Sequence, residues 1–312
     1  MDFKRLDKII ENSIIKNKLF IETLPEVIEY SKKIYQEHII NTNDAWSKQI
    51  KINDSINIVY QFLKTIDNQL AQQFLTIISL KDKNNTPYVN ILPKKQYPKG
   101  RNEVTIDGRV HIYYENTPND PFNILHEMLH KMNECNTINE NREQIETYLR
   151  NYFGETVSIL GEMMLGKYMV ENKIITENDF YIRKRFRLND SKEAARDIII
   201  ENELIKMKLQ GKKINYKNLI DQIKNYNQNS IEYEIINDEK KDLRRIKNIF
   251  KNNKLNFKTS QKYVIAQVLS EELIKRDTVV EDFIKLHYAV GDVNSKIDTV
   301  YNEIILKKKK SK

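Results

Sequence analysis

His126-Glu127-Met128-Leu129-His130 joins two imidazoles four residues apart with a carboxylate next to the first. Neutral imidazole nitrogens suit zinc, and a carboxylate beside the ion can take a proton from a water that the metal has made acidic. The chemistry expected of this HExxH pentad is therefore hydrolysis by metal-activated water, with His126 and His130 as ligands and Glu127 as general base.

Two imidazoles reach one ion only if the backbone between them is helical. At about 100° per residue, His130 falls roughly 40° around a helix from His126 and one turn further along. Residues 121–132 carry that periodicity: Leu125, Met128, Leu129 and Met132 form an apolar stripe that would dock the helix in a core and leave the His/Glu face toward a cleft. A tetrahedral zinc held by two histidines and a water needs one more protein ligand. Downstream carboxylates are plentiful: Glu134, Glu140, Glu143, Glu146, Glu155 and Glu162. If residues 139–171 form one helix, Glu146 and Glu155 lie about 900° apart and point to opposite faces, so only one of the two can serve. Periodicity alone leaves that choice open.

Phe153-Gly154-Glu155-Thr156-Val157-Ser158-Ile159-Leu160-Gly161-Glu162-Met163-Met164-Leu165 resembles the E-x-x-S-x-x-x-E-x-x-L segment of the oligoendopeptidase F and thimet oligopeptidase family of zinc metallopeptidases. In that family the first Glu of the segment is the third zinc ligand and follows the second His by 25 residues, the spacing from His130 to Glu155 here. The resemblance therefore implies Glu155 as the third ligand and one zinc per chain. It continues through residues 194–201 with Gly211 further on, and upstream through Val110–Tyr114 and Asn119–Leu125, covering about residues 50–275. Two departures accompany it. The chain is short for the family, with the shortening in the N-terminal half. The family's C-terminal His and Tyr pair, which hydrogen-bonds the reacting carbonyl, corresponds here to residues 257–266, where Tyr263 is present with no His before it. The resemblance implies a catalytic role for Tyr263; apart from it, His287 and Tyr288 are further C-terminal candidates for a donor to the developing oxyanion. Glu162, seven residues after Glu155, is placed to hydrogen-bond a ligating imidazole.

The implied activity is a metalloendopeptidase acting on short peptides. A protease of intact proteins and an inactive peptide-binding member of the fold are the alternatives. Net charge +8 and pI near 9.1 permit acidic partners. The lysines are scattered among Asn, Asp and Glu as on solvated helix faces, and runs such as Arg183-Lys184-Arg185-Phe186-Arg187 read the same way. Peptide rather than nucleic acid is the expected partner. A single cysteine, Cys135, excludes an internal disulfide and fits a reducing compartment. No run approaches the length of a membrane span, and the charged start Met1–Lys8 lacks an apolar signal core, so a cytoplasmic protein is expected.

Seven Gly and six Pro, five of the prolines lying between Pro87 and Pro121, predict long helices on either side of a short non-helical insert. The fold expected is mainly α, a multi-helix zinc-peptidase catalytic domain with a small β ribbon beside the HExxH helix. With no linker in view, residues 1–306 read as a single domain: N-terminal helices over 1–85, the β ribbon over 86–118, zinc helices over 119–171 and C-terminal helices over 172–306. Residues 307–312 read as a basic disordered tail. Within 1–85, Asn53-Asp54-Ser55 predicts an N-cap for a helix beginning near Ile56. Within the ribbon, Asp107-Gly108 between Glu103–Ile106 and Arg109–Tyr114 predicts a hairpin, one strand of which can offer an open edge to a peptide. Later helices are expected at about 190–210, 215–227, 239–253, 259–275 and 279–306.

Overall fold

The computed structural model describes residues 24–36, 45–105, 107–134, 144–214 and 257–292, with isolated positions at 8, 10, 218, 244, 247 and 255. The elements in chain order are α1 (Leu24–Gln36), α2 (Ile52–Ile66), α3 (Asn68–Ser79), β1 (Val89–Pro93), β2 (Glu103–Val104), β3 (Val110–Tyr114), α4 (Asp120–Glu134), α5 (Gln144–Glu171), α6 (Glu177–Leu209), α7 (Phe257–Leu273) and α8 (Val279–Gly291). The protein is mainly helical with one small sheet. The helices expected at 215–227 and 239–253, the 307–312 tail and Cys135 lie outside the described residues.

The residues group into two compact units, each made of two separated stretches: 1–40 with 186–268, and 41–185 with 269–312. Two of the borders between these units fall inside α6 and α7. A continuous helix carries no Gly, Pro or Ser mark where its neighbours change. In the first unit Val27 and Ile34 of α1 are buried, as are Ile198, Ile199, Glu201 and Glu203 of α6. Ser191 Oγ lies 3.5 Å from Gln267 Oε1 and Ser260 Oγ lies 3.5 Å from Asp197 Oδ2, joining α6 to α7 by polar contacts.

The second unit is built around α4. Phe122, Ile124, Leu125, Met128, Leu129 and Met132 are all fully buried, so the expected apolar stripe extends around more of the helix than a single face. The reason is its surroundings: α2, α3, α5, α8 and strands β2 and β3 all contact it. Asp120, the first residue of the helix, ties down the preceding turn by accepting backbone N–H groups of Glu115 at 3.1 Å and Thr117 at 3.0 Å, and Pro121 follows where a missing N–H costs nothing.

The sheet has the order β1-β3-β2. β2 and β3 are antiparallel, pairing Glu103 with His111 and Val104 with Val110. Between them Gly108 takes φ +73°, open to glycine at no steric cost, and its N–H donates to the Thr105 carbonyl at 2.8 Å. β1 pairs in parallel with β3, from Val89↔Val110 to Pro93↔Tyr114. That strand has no hairpin turn to announce it.

Helix α2 starts earlier than the Asn-Asp-Ser signal suggests. It begins at Ile52, and Ser55 is buried inside it with its N–H bonded to the Lys51 carbonyl at 2.9 Å. The side-chain cap lies one helix on: Asp67 accepts the N–H groups of Gln69 and Leu70 at 2.6 and 3.1 Å and opens α3.

Candidate metal centre

Three ligand atoms converge on the polar side of α4. His126 Nε2 and His130 Nε2 are 3.1 Å apart. Glu155, projecting from α5, lies with Oε1 3.5 Å from His126 Nε2 and Oε2 3.5 Å from His130 Nε2. All three lie within 4.8 Å of one another, and they form the one such group among the described residues. A tetrahedral ion with bonds of about 2.0–2.1 Å needs neighbouring ligand atoms roughly 3.3–3.4 Å apart. The 3.1 Å between the two nitrogens and the 3.5 Å from each nitrogen to its nearer Glu155 oxygen lie close to that value. Two imidazole nitrogens and one carboxylate also exclude the all-oxygen coordination that calcium and magnesium prefer.

His126 is held from behind. Its Nδ1 is 2.7 Å from Glu162 Oε1; with Glu162 ionised that oxygen accepts, which puts the ring proton on Nδ1 and leaves Nε2 its lone pair. That lone pair then faces the Glu155 carboxylate, an arrangement that is repulsive unless a proton or a cation lies between them. Glu155 is 1% exposed and His126 6%, so solvent does little to relieve it. Of the two imidazoles His130 is the more exposed, with its side chain 24% exposed. Glu127 is buried on the same turn as His126.

Local packing explains how two glutamates of α5 reach these rings. Each follows a glycine, in Gly154-Glu155 and Gly161-Glu162. A Cβ on Gly161 would lie 2.7 Å from Leu129 Cδ1 and 3.3 Å from Phe283 Cε2. Its absence lets α5 settle close against α4 and α8, within reach of a short glutamate side chain. Ser158, between the two glutamates, donates from Oγ to the His126 carbonyl at 3.4 Å.

Behind Glu162 lies a residue that sequence reasoning assigned to a solvated basic run. Arg183 of α6 is buried, donates from Nε to Glu162 Oε2 at 2.7 Å and brings Nη2 to 2.7 Å from the same oxygen as a contact of opposite charges. Its Nη1 donates to Asn119 Oδ1 at 2.8 Å and Asn123 Oδ1 at 3.0 Å, and its guanidinium carbon sits 5.4 Å over the Phe122 ring. The available signal was spacing: Arg183 is 21 residues from Glu162, across the turn between two helices.

Glu134 and Glu146 fall on α4 and α5 with side chains outside the described residues, as Glu140 and Glu143 are altogether. Tyr263 is half-buried on α7, in the unit formed by residues 1–40 and 186–268, with Lys262 Nζ 4.7 Å from its ring centroid. His111 stacks on Tyr113 of β3 at 6.5 Å. His287 is buried on α8, stacked on Phe283 at 6.2 Å and edge-on to Tyr288 at 5.4 Å.

Burial pushes His287 down from 6.5 to about 4, against a smaller opposing pull from the Asp67 carboxylate. The sign follows: below pH 6.5 the unfolded chain binds a proton that the folded chain refuses, so stability falls from there to about pH 4 and is flat above. The slope is at most about 1.4 kcal/mol per pH unit. His287→Phe is expected to remove that component, read as a weaker pH dependence of the urea midpoint of chelator-treated protein between neutral and mildly acidic pH.

Compared with known proteins, the chain matches no family model, no curated protein and no solved structure. The functional reading therefore rests on the centre itself. No helix among the described residues is long and apolar enough to cross a membrane.

Proposed function

We propose that this protein is a zinc-dependent endopeptidase of short peptides, of the oligoendopeptidase F and thimet oligopeptidase kind. The observation that carries the reading is the convergence of His126 Nε2 and His130 Nε2, 3.1 Å apart, with the Glu155 carboxylate, whose Oε1 and Oε2 lie 3.5 Å from the first and second nitrogen, and with Glu127 one residue after His126. His126, His130 and Glu155 would hold the ion. When bound, zinc lowers the pKa of a water and polarises a carbonyl oxygen. Glu127 takes the proton of the attacking water on its carboxylate and returns it to the leaving amine nitrogen. Glu162 keeps the Nδ1 proton on His126, so that ring presents a lone pair rather than an N–H. Burial of His126 and Glu155 limits competition from bulk water.

The substrate side of the proposal draws on the sheet. β2 is an edge strand, and both it and β3 contact α4. An extended peptide lying along β2 would be held through its backbone, which favours recognition of peptide shape over side-chain identity. Tyr263 is carried only by the resemblance.

A quenched fluorescent library of short peptides tests the activity. Cleavage is expected, to be abolished by a zinc chelator and restored by one equivalent of zinc per chain. Peptides left intact by protein that carries zinc would overturn the peptidase reading. Faster cleavage of intact unfolded casein than of the library would replace it with a protease of whole proteins.

A further inference from the structure

We infer that Arg183 is a positioning residue for the metal: its guanidinium holds the Glu162 carboxylate in place, and through Glu162 it orients the His126 ring. The inference rests on the metal centre rather than on peptidase activity. The chain of contacts is continuous, from Asn119 and Asn123 Oδ1 to Arg183 Nη1, from Arg183 Nε to Glu162 Oε2, and from Glu162 Oε1 to His126 Nδ1. Every link after the asparagines is 2.7 Å long, and Glu162, Arg183 and His126 are 2%, 6% and 6% exposed.

The two carboxylate oxygens of Glu162 have divided partners. Oε2 takes the guanidinium and Oε1 takes the imidazole. Without Arg183, Oε2 would lose the donor that fixes the rotation of the carboxylate, and Oε1 would no longer be held against Nδ1. His126 would then lose the acceptor that keeps its ring turned so that Nε2 faces Glu155 and His130.

The asparagines add geometry. Arg183 comes from α6, Glu162 from α5, Phe122 and Asn123 from the first turn of α4 and Asn119 from the residue before it, so one side chain ties the start of the HExxH helix to both neighbours. A clamp needed only for packing would be served as well by apolar residues, since replacing a buried ion pair with hydrophobic groups is often neutral or stabilising. An ion pair whose far oxygen rests on a ligating histidine has a use that apolar groups cannot supply.

The test is zinc affinity, measured by competition with a chromophoric chelator on the full chain, beside the urea stability of metal-free protein and the 15N shifts of His126 in metal-free protein. Arg183→Met is expected to weaken zinc binding about 10–100-fold, the range typical of partners behind a ligand. Glu162→Gln is expected to do the same. The double variant should lose no more than the weaker-binding single variant, because the two residues act through one link. Arg183→Lys should restore part of the affinity, having the charge without the planar fork. The 15N shifts should show the Nδ1–H tautomer in wild type and a shift toward Nε2–H in Arg183→Met.

Unchanged affinity and tautomer in Arg183→Met would overturn the inference, as would a loss confined to metal-free stability. If Arg183→Met does not fold, Arg183→Lys and the Asn119→Ala, Asn123→Ala pair decide by the same two readouts: wild-type values in both overturn it, and weakened binding with a shifted tautomer supports it. Wild-type protein that binds no zinc would overturn the metal centre itself, a failure distinct from zinc binding that ignores Arg183.

Discussion

Glu127→Gln is expected to keep one zinc per chain and to cleave peptides 10²–10⁴-fold more slowly than wild type, about 2.7–5.4 kcal/mol of transition-state stabilisation. Gln has nearly the shape and hydrogen-bonding reach of Glu but cannot accept a proton at neutral pH. His126, His130 and Glu155 are untouched by the change, so the ligand set survives. The variant therefore separates binding from chemistry: zinc content and thermal stability report the centre, and the rate reports the base. Wild-type cleavage by a zinc-loaded Glu127→Gln chain would remove Glu127 from the mechanism.

Glu155→Ala carries the second large effect. Its carboxylate is 1% exposed and lies 3.5 Å from both imidazole nitrogens, so truncation takes away a ligand and leaves two histidines on one helix. Zinc affinity should fall by more than the 10–100-fold expected for outer partners. Thermal melting gives an independent reading. A ligand that binds only the folded state at 100 times its Kd adds about 2.7 kcal/mol of stability, so zinc should raise the wild-type midpoint clearly and that of Glu155→Ala little. An equal zinc-induced rise in both proteins would mean that Glu155 is not a ligand.

How much of this was legible in the sequence depends on how local each signal is. His126 and His130 meet because a helix puts residues four apart on one side, and the apolar stripe of α4 declares that helix. Glu155 is different. Helical arithmetic separates it from Glu146 without choosing between them, because the choice depends on how α5 lies against α4. That geometry is set partly by Gly161, whose missing side chain says nothing by itself about which neighbour will fill the space.

Arg183 was hidden in a basic run. Charge along a helix reads as solvated unless something identifies its partner, and the partners here come from two other helices. The Asp107-Gly108 turn disclosed the β2–β3 pair, whereas β1 joins by a parallel pairing that leaves no turn signature. Ser55 looked like a cap because Ser, Asp and Asn favour helix starts. Burial of the segment won over that preference, and Ile52 opens α2 instead.

X-ray absorption at the zinc edge of the zinc-loaded chain tests the central claim most directly. The account predicts one zinc per chain with only nitrogen and oxygen neighbours at about 2.0–2.1 Å and the outer-shell scattering of two imidazoles. Sulfur at about 2.3 Å, more than two imidazoles, or no stoichiometric zinc would contradict it.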